Sequence, residues 1–414
     1  MRDFIEKMKA AGLADVITRP VSTEYEASNL AYKTDRMLIF ENLDGRRAVM
    51  NTITDHTSLA LALGMEEEGI VKALAKSTFD GTVTDAGALE GLVPADVSLL
   101  PVLKHFPKDA GKYITTGVVF SAYKGVENAS IHRLLVKDKN HLIARIVEGR
   151  HTDALLKQAL ADGEKLPVAI VIGAHPAVTF AACTRVPEGK EMNYAAEILK
   201  KPLPLFTCPN GIRVPDAEII LYGSITASTE EEGPFVDISG TYDPVRMQPV
   251  IELDGMKLKD DCIYHALVPS RSEHKMLMGA PYEPKIFAEV GEVCKVTDVY
   301  LTKGGFGYFH AAIQIHKESE ADGKNAIMAA FSAHKSLKHV VIVDEDIDIH
   351  NPDEVEFAIA TRVRADKDSV VLTGVRGSSL DPCRIGDGLN VKAGLDATIP
   401  LDRREDFIRA ELKQ

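Results

Sequence analysis

Short apolar runs alternate with helical patterns along this chain, and that alternation restricts it to an α/β or α+β architecture. Residues 168–173, 218–222 and 339–344 are rich in Val, Ile and Leu and read as strands. Residues 152–161 repeat their apolar positions at helical spacing, with Thr152 as the expected cap. Residues 352–361 follow Asn351 as N-cap, with Pro352 at the first helical position and acids in the first turn. The first nine residues read as an amphipathic helix; no apolar segment follows, so a signal peptide is not expected. Residues 401–414 read as a terminal amphipathic helix with Phe407, Ile408 and Leu412 on one side.

A chain of 414 residues has room for two or three domains. Pro-punctuated stretches at 91–94 and 100–107 and a change of character after Thr297 divide it into 1–107, 108–297 and 298–414. The net charge of −13 argues against general nucleic-acid binding, which needs a basic footprint. No apolar run approaches the roughly 20 residues of a membrane span. Cys183, Cys208, Cys262, Cys294 and Cys383 are odd in number and widely spaced, with no Cys-x-x-Cys, so buried free thiols in a reducing cytoplasm are expected.

The chemistry concentrates in two hexads, Asn128-Ala-Ser-Ile-His-Arg133 and Glu232-Gly-Pro-Phe-Val-Asp237. The acidic run 230–232 alone looks like a solvated loop, but Gly233-Pro234-Phe235 fixes a turn and sets an aromatic beside the acid. A Glu/Arg/Asp set can hold a substrate carboxylate, tune a proton donor and deliver its proton. Asn128, His151 and Glu191 offer a mixed N/O shell suited to Mn²⁺ or Mg²⁺. Their separations form no local motif, and on spacing alone they read as two surface polar residues with a helix-capping histidine.

With these hexads in family order come Pro167-Val-Ala-Ile-Val-Ile-Gly-Ala-His-Pro176, Val186-Pro-Glu-Gly-Lys-Glu191, Pro215-Asp-Ala-Glu218 and Lys303-Gly-Gly-Phe-Gly-Tyr-Phe-His310. His334-Lys335, Val343-Asp-Glu-Asp-Ile-Asp348, Ala360-Thr-Arg362 and Val375-Arg-Gly377 follow. Together they resemble the UbiD-type decarboxylases, which work with prenylated FMN. The resemblance implies a central split β-barrel that binds the flavin, between an N-terminal α/β domain and a C-terminal α/β domain that supports homo-oligomerisation. It implies that Arg133 bridges Glu232 and Asp237 and meets the substrate carboxylate, with Asp237 donating the proton that replaces CO₂. Asn128, Ser130, Ile131, His132, Arg133 and Lys335 would hold the flavin. Asn128, His151 and Glu191 would hold a divalent metal on its phosphate, with K⁺ as a further ion and a flavin prenyltransferase as the cofactor's supplier.

Where cinnamate-type members of the family are expected to be apolar or neutral, this chain has Arg150, Ser378 and Ser379, and the expected loop 270–275 adds further donors. Arginine with serines suits a phosphate better than a phenyl ring. The family substrate that fits is trans-anhydromevalonate 5-phosphate, decarboxylated to isopentenyl phosphate in the archaeal mevalonate route. The competing readings are an aromatic-acid (hydroxybenzoate-type) decarboxylase, a non-catalytic flavin protein and a metal-dependent hydrolase. The last leaves Arg133, Glu232 and Asp237 unexplained.

Overall fold

The computed structural model describes residues 1–378, 380–384 and 388–410. It divides into two compact units, Met1–Glu67 with Ser77–Leu277, and Glu68–Lys76 with the chain from Met278 onward. Both mix helices with sheets, as the alternating sequence pattern requires.

Among the described residues the first unit carries a nine-stranded sheet. An inner strand, Leu166–Ala174, is buried almost end to end between Val118–Tyr123 and Ala217–Glu232, both antiparallel to it. Such a strand must be apolar on both faces, which is why residues 168–173 show no polar alternation. Val118–Tyr123 turns back into Val126–Ile131 through Lys124 and Gly125, both with positive φ (48° and 83°). That is the backbone of a two-residue hairpin turn, where glycine is favoured. The turn sets the register Ser121↔Asn128 and Val119↔Ser130, so Asn128 and Ser130 share one face of their strand.

Ala217–Glu232 is apolar and buried over its first part and acidic at its end. The acidic run 230–232, which alone looks like a solvated loop, is the end of this strand, paired with Arg246–Leu258. Strand alternation turns Glu231 to solvent and Glu232 to the interior. Smaller sheets of four and three strands complete the unit, together with the two-stranded ladder of Phe235–Val236 and Tyr242–Asp243. The main core gathers side chains such as Phe40, Ile170, Leu221 and Ile251 around the large sheet.

The second unit holds a five-stranded mixed sheet. His310–His316, His339–Asp344 and Leu389–Asp396 run parallel, with antiparallel strands Lys295–Leu301 and Ser369–Arg376 at the edges. Asn351 caps helix Pro352–Arg362, its side-chain oxygen accepting from Asp353 N at 3.1 Å. No helix among the described residues is long and apolar enough to cross a membrane.

Several local expectations are corrected. Helix His151–Ala161 has Arg150, not Thr152, at its N-cap, because Asp153 Oδ2 already accepts from Gly149 N at 2.8 Å and Thr152 turns inward. Residues 270–275 are not one loop: helix Ser272–Gly279 begins inside them, anchored by buried Glu273 on His265 at 2.8 Å. Leu401–Phe407 is a kinked 3₁₀ segment with Ile408 exposed, so no apolar stripe is buried there; Leu412 lies outside the described residues. Of the thiols expected to be buried, Cys208 is, while Cys383 is exposed.

Candidate active site

Arg133 lies just beyond strand Val126–Ile131 and draws the two hexads together. Its Nε donates to Glu232 Oε1 and its Nη2 to Glu232 Oε2, both at 2.9 Å, a two-pronged grip that fixes the guanidinium plane. Nη1 donates to Asp237 Oδ2 at 3.2 Å, and Nη2 also reaches Asp243 Oδ2 at 2.8 Å. Those four bonds use four of the five N–H groups of a guanidinium, and the one left over is on Nη1, beside Asp237.

Glu232 is fully buried, and Tyr113 Oη donates to its Oε1 at 3.1 Å while accepting from Gly233 N at 3.2 Å. Gly233 sits at φ +96°, and a Cβ there would also stand 3.1 Å from Pro244 O, so a side chain is excluded on both counts. The Phe235 ring centroid lies 4.9 Å from Arg133 Cζ and 4.3 Å from the Tyr113 ring, which screens the ion pair from water. Burial disfavours the Arg133 cation, but its bonds to Glu232 and the nearby carboxylates outweigh that and raise its pKa. Burial and the Glu232 charge both raise the Tyr113 phenol, which stays a hydrogen-bond donor. Asp237 remains about one-fifth exposed, its Oδ1 accepting from Ile238 N at 2.7 Å.

The sequence reading missed Asp243, which Arg246 Nη1 meets at 2.6 Å and Arg145 Nε approaches at 3.8 Å. Burial pushes its carboxyl up, yet hydrogen bonds and charges from Arg246 and Arg133 hold it below its ordinary value. Three carboxylates thus face three guanidinium groups, a balance a substrate carboxylate tips negative. The available signal was the Ile238-Ser239-Gly240 stretch: read as a three-residue hairpin loop, it sets Asp243 opposite Phe235, as observed. Asp243→Asn should preserve the fold and lower kcat/KM by about ten- to a hundred-fold, the worth of one charge-assisted bond to Arg133. Unchanged steady-state kinetics would show that the guanidinium is held without the charge of Asp243.

A second cluster gathers on the face of strand Val126–Ile131 that carries Asn128 and Ser130. Asn128 Nδ2 donates to Ser130 Oγ and Thr152 Oγ1, both at 3.2 Å. His132 lies between Arg145 O, 2.9 Å from Nδ1, and the Ser130 and Thr152 hydroxyls, 3.0 and 3.1 Å from Nε2. Burial lowers its pKa, so the ring is neutral, with Nδ1–H donating to the carbonyl and Nε2 accepting. Ile131 is half-buried and alternates to the opposite face.

Glu191 opens helix Glu191–Ile198, is 5% exposed and is tied to the same strand through Ala129 N. Burial pushes its carboxyl up to about 7, and the nearby charges of Glu127 and Glu188 push the same way. His151 and Arg150 are exposed at the start of helix His151–Ala161. By residue type, an amide, an imidazole and a carboxylate with no ion pair among the described residues would suit a hard divalent cation. No group of three His, Cys, Asp or Glu gathers for a metal among the described residues; this set has two such residues and an amide.

Lys335 belongs to the second unit, just beyond helix Asp322–Ala333, its carbonyl accepting from buried Lys392 Nζ at 2.7 Å. Ser378, also in that unit, is buried with its Oγ accepting from Leu380 N at 3.2 Å, while Ser379 lies outside the described residues. Arg271, in the first unit, stacks over the Tyr32 ring at 4.3 Å.

Family models for 3-octaprenyl-4-hydroxybenzoate carboxy-lyase match the chain in order: the N-terminal domain over residues 5–78, the Rift-related domain over 85–272 and the C-terminal domain over 275–397. The chain belongs to the UbiD family of carboxy-lyases. Within it, the chain is 50% identical to the anhydromevalonate phosphate decarboxylase of Methanosarcina mazei, over 99% of this chain and 98% of that protein. It is 48% identical to the anhydromevalonate phosphate decarboxylase of Archaeoglobus fulgidus, over 89% and 86%. Among solved structures, the UbiD-class enzyme HmfF of Pelotomaculum thermopropionicum in complex with FMN superposes with a TM-score of 0.95 at 32% identity, covering 99% of this chain and 97% of that one. An evolved dimeric form of HmfF with prenylated FMN superposes with a TM-score of 0.91 at 31% identity, over 99% and 96%.

Proposed function

We propose that this chain is a prenylated-FMN-dependent decarboxylase that converts trans-anhydromevalonate 5-phosphate to isopentenyl phosphate and CO₂. The observation that carries the reaction class is the Arg133 grip, with a spare Nη1 donor beside the partly exposed Asp237. The substrate is supported by full-length similarity to archaeal proteins that act on anhydromevalonate phosphate.

Each residue then has a task. Glu232 and Asp243 hold the guanidinium so that Nη1 meets the substrate carboxylate in a site sheltered by Phe235 and Tyr113. When the bond from that carboxylate to the α-carbon breaks, CO₂ leaves, and a flavin bound there would supply the electron sink for the pair left behind. With the substrate carboxylate tipping the charge negative, Asp237 takes up a proton from solvent through its exposed edge, gives it to the α-carbon to form the new C–H bond and returns to the carboxylate. Asn128, His151 and Glu191 would hold Mn²⁺ or Mg²⁺ against the flavin phosphate, offsetting its charge in an otherwise acidic chain. The flavin itself comes from a prenyltransferase.

Arg150 is the candidate for the substrate phosphate: it is exposed at a helix N-terminus and holds no ion pair among the described residues. Arg150→Ala should raise KM for trans-anhydromevalonate 5-phosphate by roughly ten- to a hundred-fold, the worth of one charge-assisted contact, with kcat little changed. An uncharged enoic acid should not sense the change. Turnover of a hydroxybenzoate by the wild type, with none of the phosphorylated enoate, would overturn the substrate and favour the likeness to the gallate decarboxylase of Lactiplantibacillus plantarum, 32% identical over 74% of this chain.

A further inference from the structure

Thr152 was expected to cap a helix, but the structure gives its hydroxyl other work. The side chain is 1% exposed, and Oγ1 lies 3.2 Å from Asn128 Nδ2, 3.1 Å from Ser130 Oγ and 3.1 Å from His132 Nε2. A hydroxyl has one proton and two acceptor positions, so these three partners saturate it. His132 Nδ1 faces Arg145 O, so Nε2 accepts from a hydroxyl of the hub, Ser130 or Thr152, while Thr152 accepts from Asn128 Nδ2.

We propose that Thr152 is a positioning residue for the cation and flavin-phosphate site, acting by turning the Asn128 carboxamide. Both hydrogens of Nδ2 are drawn into the hub, one to Thr152 and one to Ser130, and no bond of the network uses Oδ1. The amide oxygen, the atom a hard cation requires, is thereby presented away from the hub. Thr152 also follows His151 directly on helix His151–Ala161, so one anchored residue fixes the imidazole's start point and the amide's orientation together. The inference rests on the reading that Asn128 and His151 hold a divalent cation.

The test compares Thr152→Val, which keeps the shape and loses the hydroxyl, with Thr152→Ser, which keeps the hydroxyl. Mn²⁺ binding to flavin-free protein is followed by electron paramagnetic resonance, and FMN affinity in the presence of Mn²⁺ by fluorescence quenching. Thr152→Val should weaken Mn²⁺ binding by about 10- to 100-fold, the usual effect of losing a group that orients a ligand, and FMN binding with it. Thr152→Ser should restore both to near wild type. If the Val variant does not fold, Thr152→Ala takes its place in the same comparison. Wild-type affinity in the hydroxyl-free variant, or a Ser variant as weak as it, overturns the proposal. Wild-type protein that binds neither Mn²⁺ nor FMN would instead remove the cation-site reading beneath it.

Discussion

Asp237→Asn should fold like the wild type and lose decarboxylation by about 10²- to 10⁴-fold, the range for removing a general acid. The fold should survive because Asp237 Oδ1 accepts from Ile238 N, a bond the amide oxygen can keep, and because the side chain is partly solvated. Arg133 retains its grip on Glu232 and Asp243, so substrate capture should change far less than turnover. A second readout isolates the step. Exchange of the product vinyl hydrogen with deuterated solvent reverses the protonation and should stop in the same variant. Normal exchange in Asp237→Asn would move the donor role to another group. Arg133→Ala is a poorer probe: it strands the buried Glu232 carboxylate, and breaking such a pair costs about 3–5 kcal/mol. Its loss of activity would mix unfolding with chemistry, which makes Asp237→Asn the cleaner test.

The parts of the site that the sequence exposed were those whose signal is local. The Gly-Pro turn announced a fixed corner between Glu232 and Asp237, and the apolar runs announced the strands that carry them. Asp243 escaped because its partner is set by the return strand of a short ladder, so only the folded hairpin shows that it meets Arg133. Thr152 was misread for a related reason. A threonine at the head of a helical pattern caps the helix only if the helix begins immediately after it, and here the helix starts at His151, one residue before Thr152. That shift of phase sends the hydroxyl inward to Asn128, Ser130 and His132 rather than to the helix's own N–H groups. The acidic run 230–232 shows the same limit: composition made it solvated, while strand alternation buried one of its members. What pattern alone could not supply in each case was direction, which is fixed by packing.

The other large effect expected is loss of the flavin when Glu191 or His151 is removed. Glu191 is almost wholly buried, and the charges that reach it, Glu127 and Glu188, are of its own sign. Among the described residues no ion pair compensates it, so burial shifts it toward the protonated form, whereas a divalent cation would favour the carboxylate. Removing a residue that merely orients a metal ligand weakens metal binding by about 10- to 100-fold, so removing a ligand should reach at least the upper end of that range. Glu191→Ala and His151→Ala should therefore be purified with little flavin and little turnover, and wild-type protein treated with a chelator should release its flavin in the same way. Glu191→Gln separates this from simple damage to the fold. The amide keeps the shape and removes a costly buried acid, so its thermal midpoint without metal should match or exceed the wild type's while its flavin content falls. Full flavin content in either alanine variant after chelation would show that the phosphate is held without a cation, and Asn128, His151 and Glu191 would revert to ordinary polar residues of the strand and helix ends.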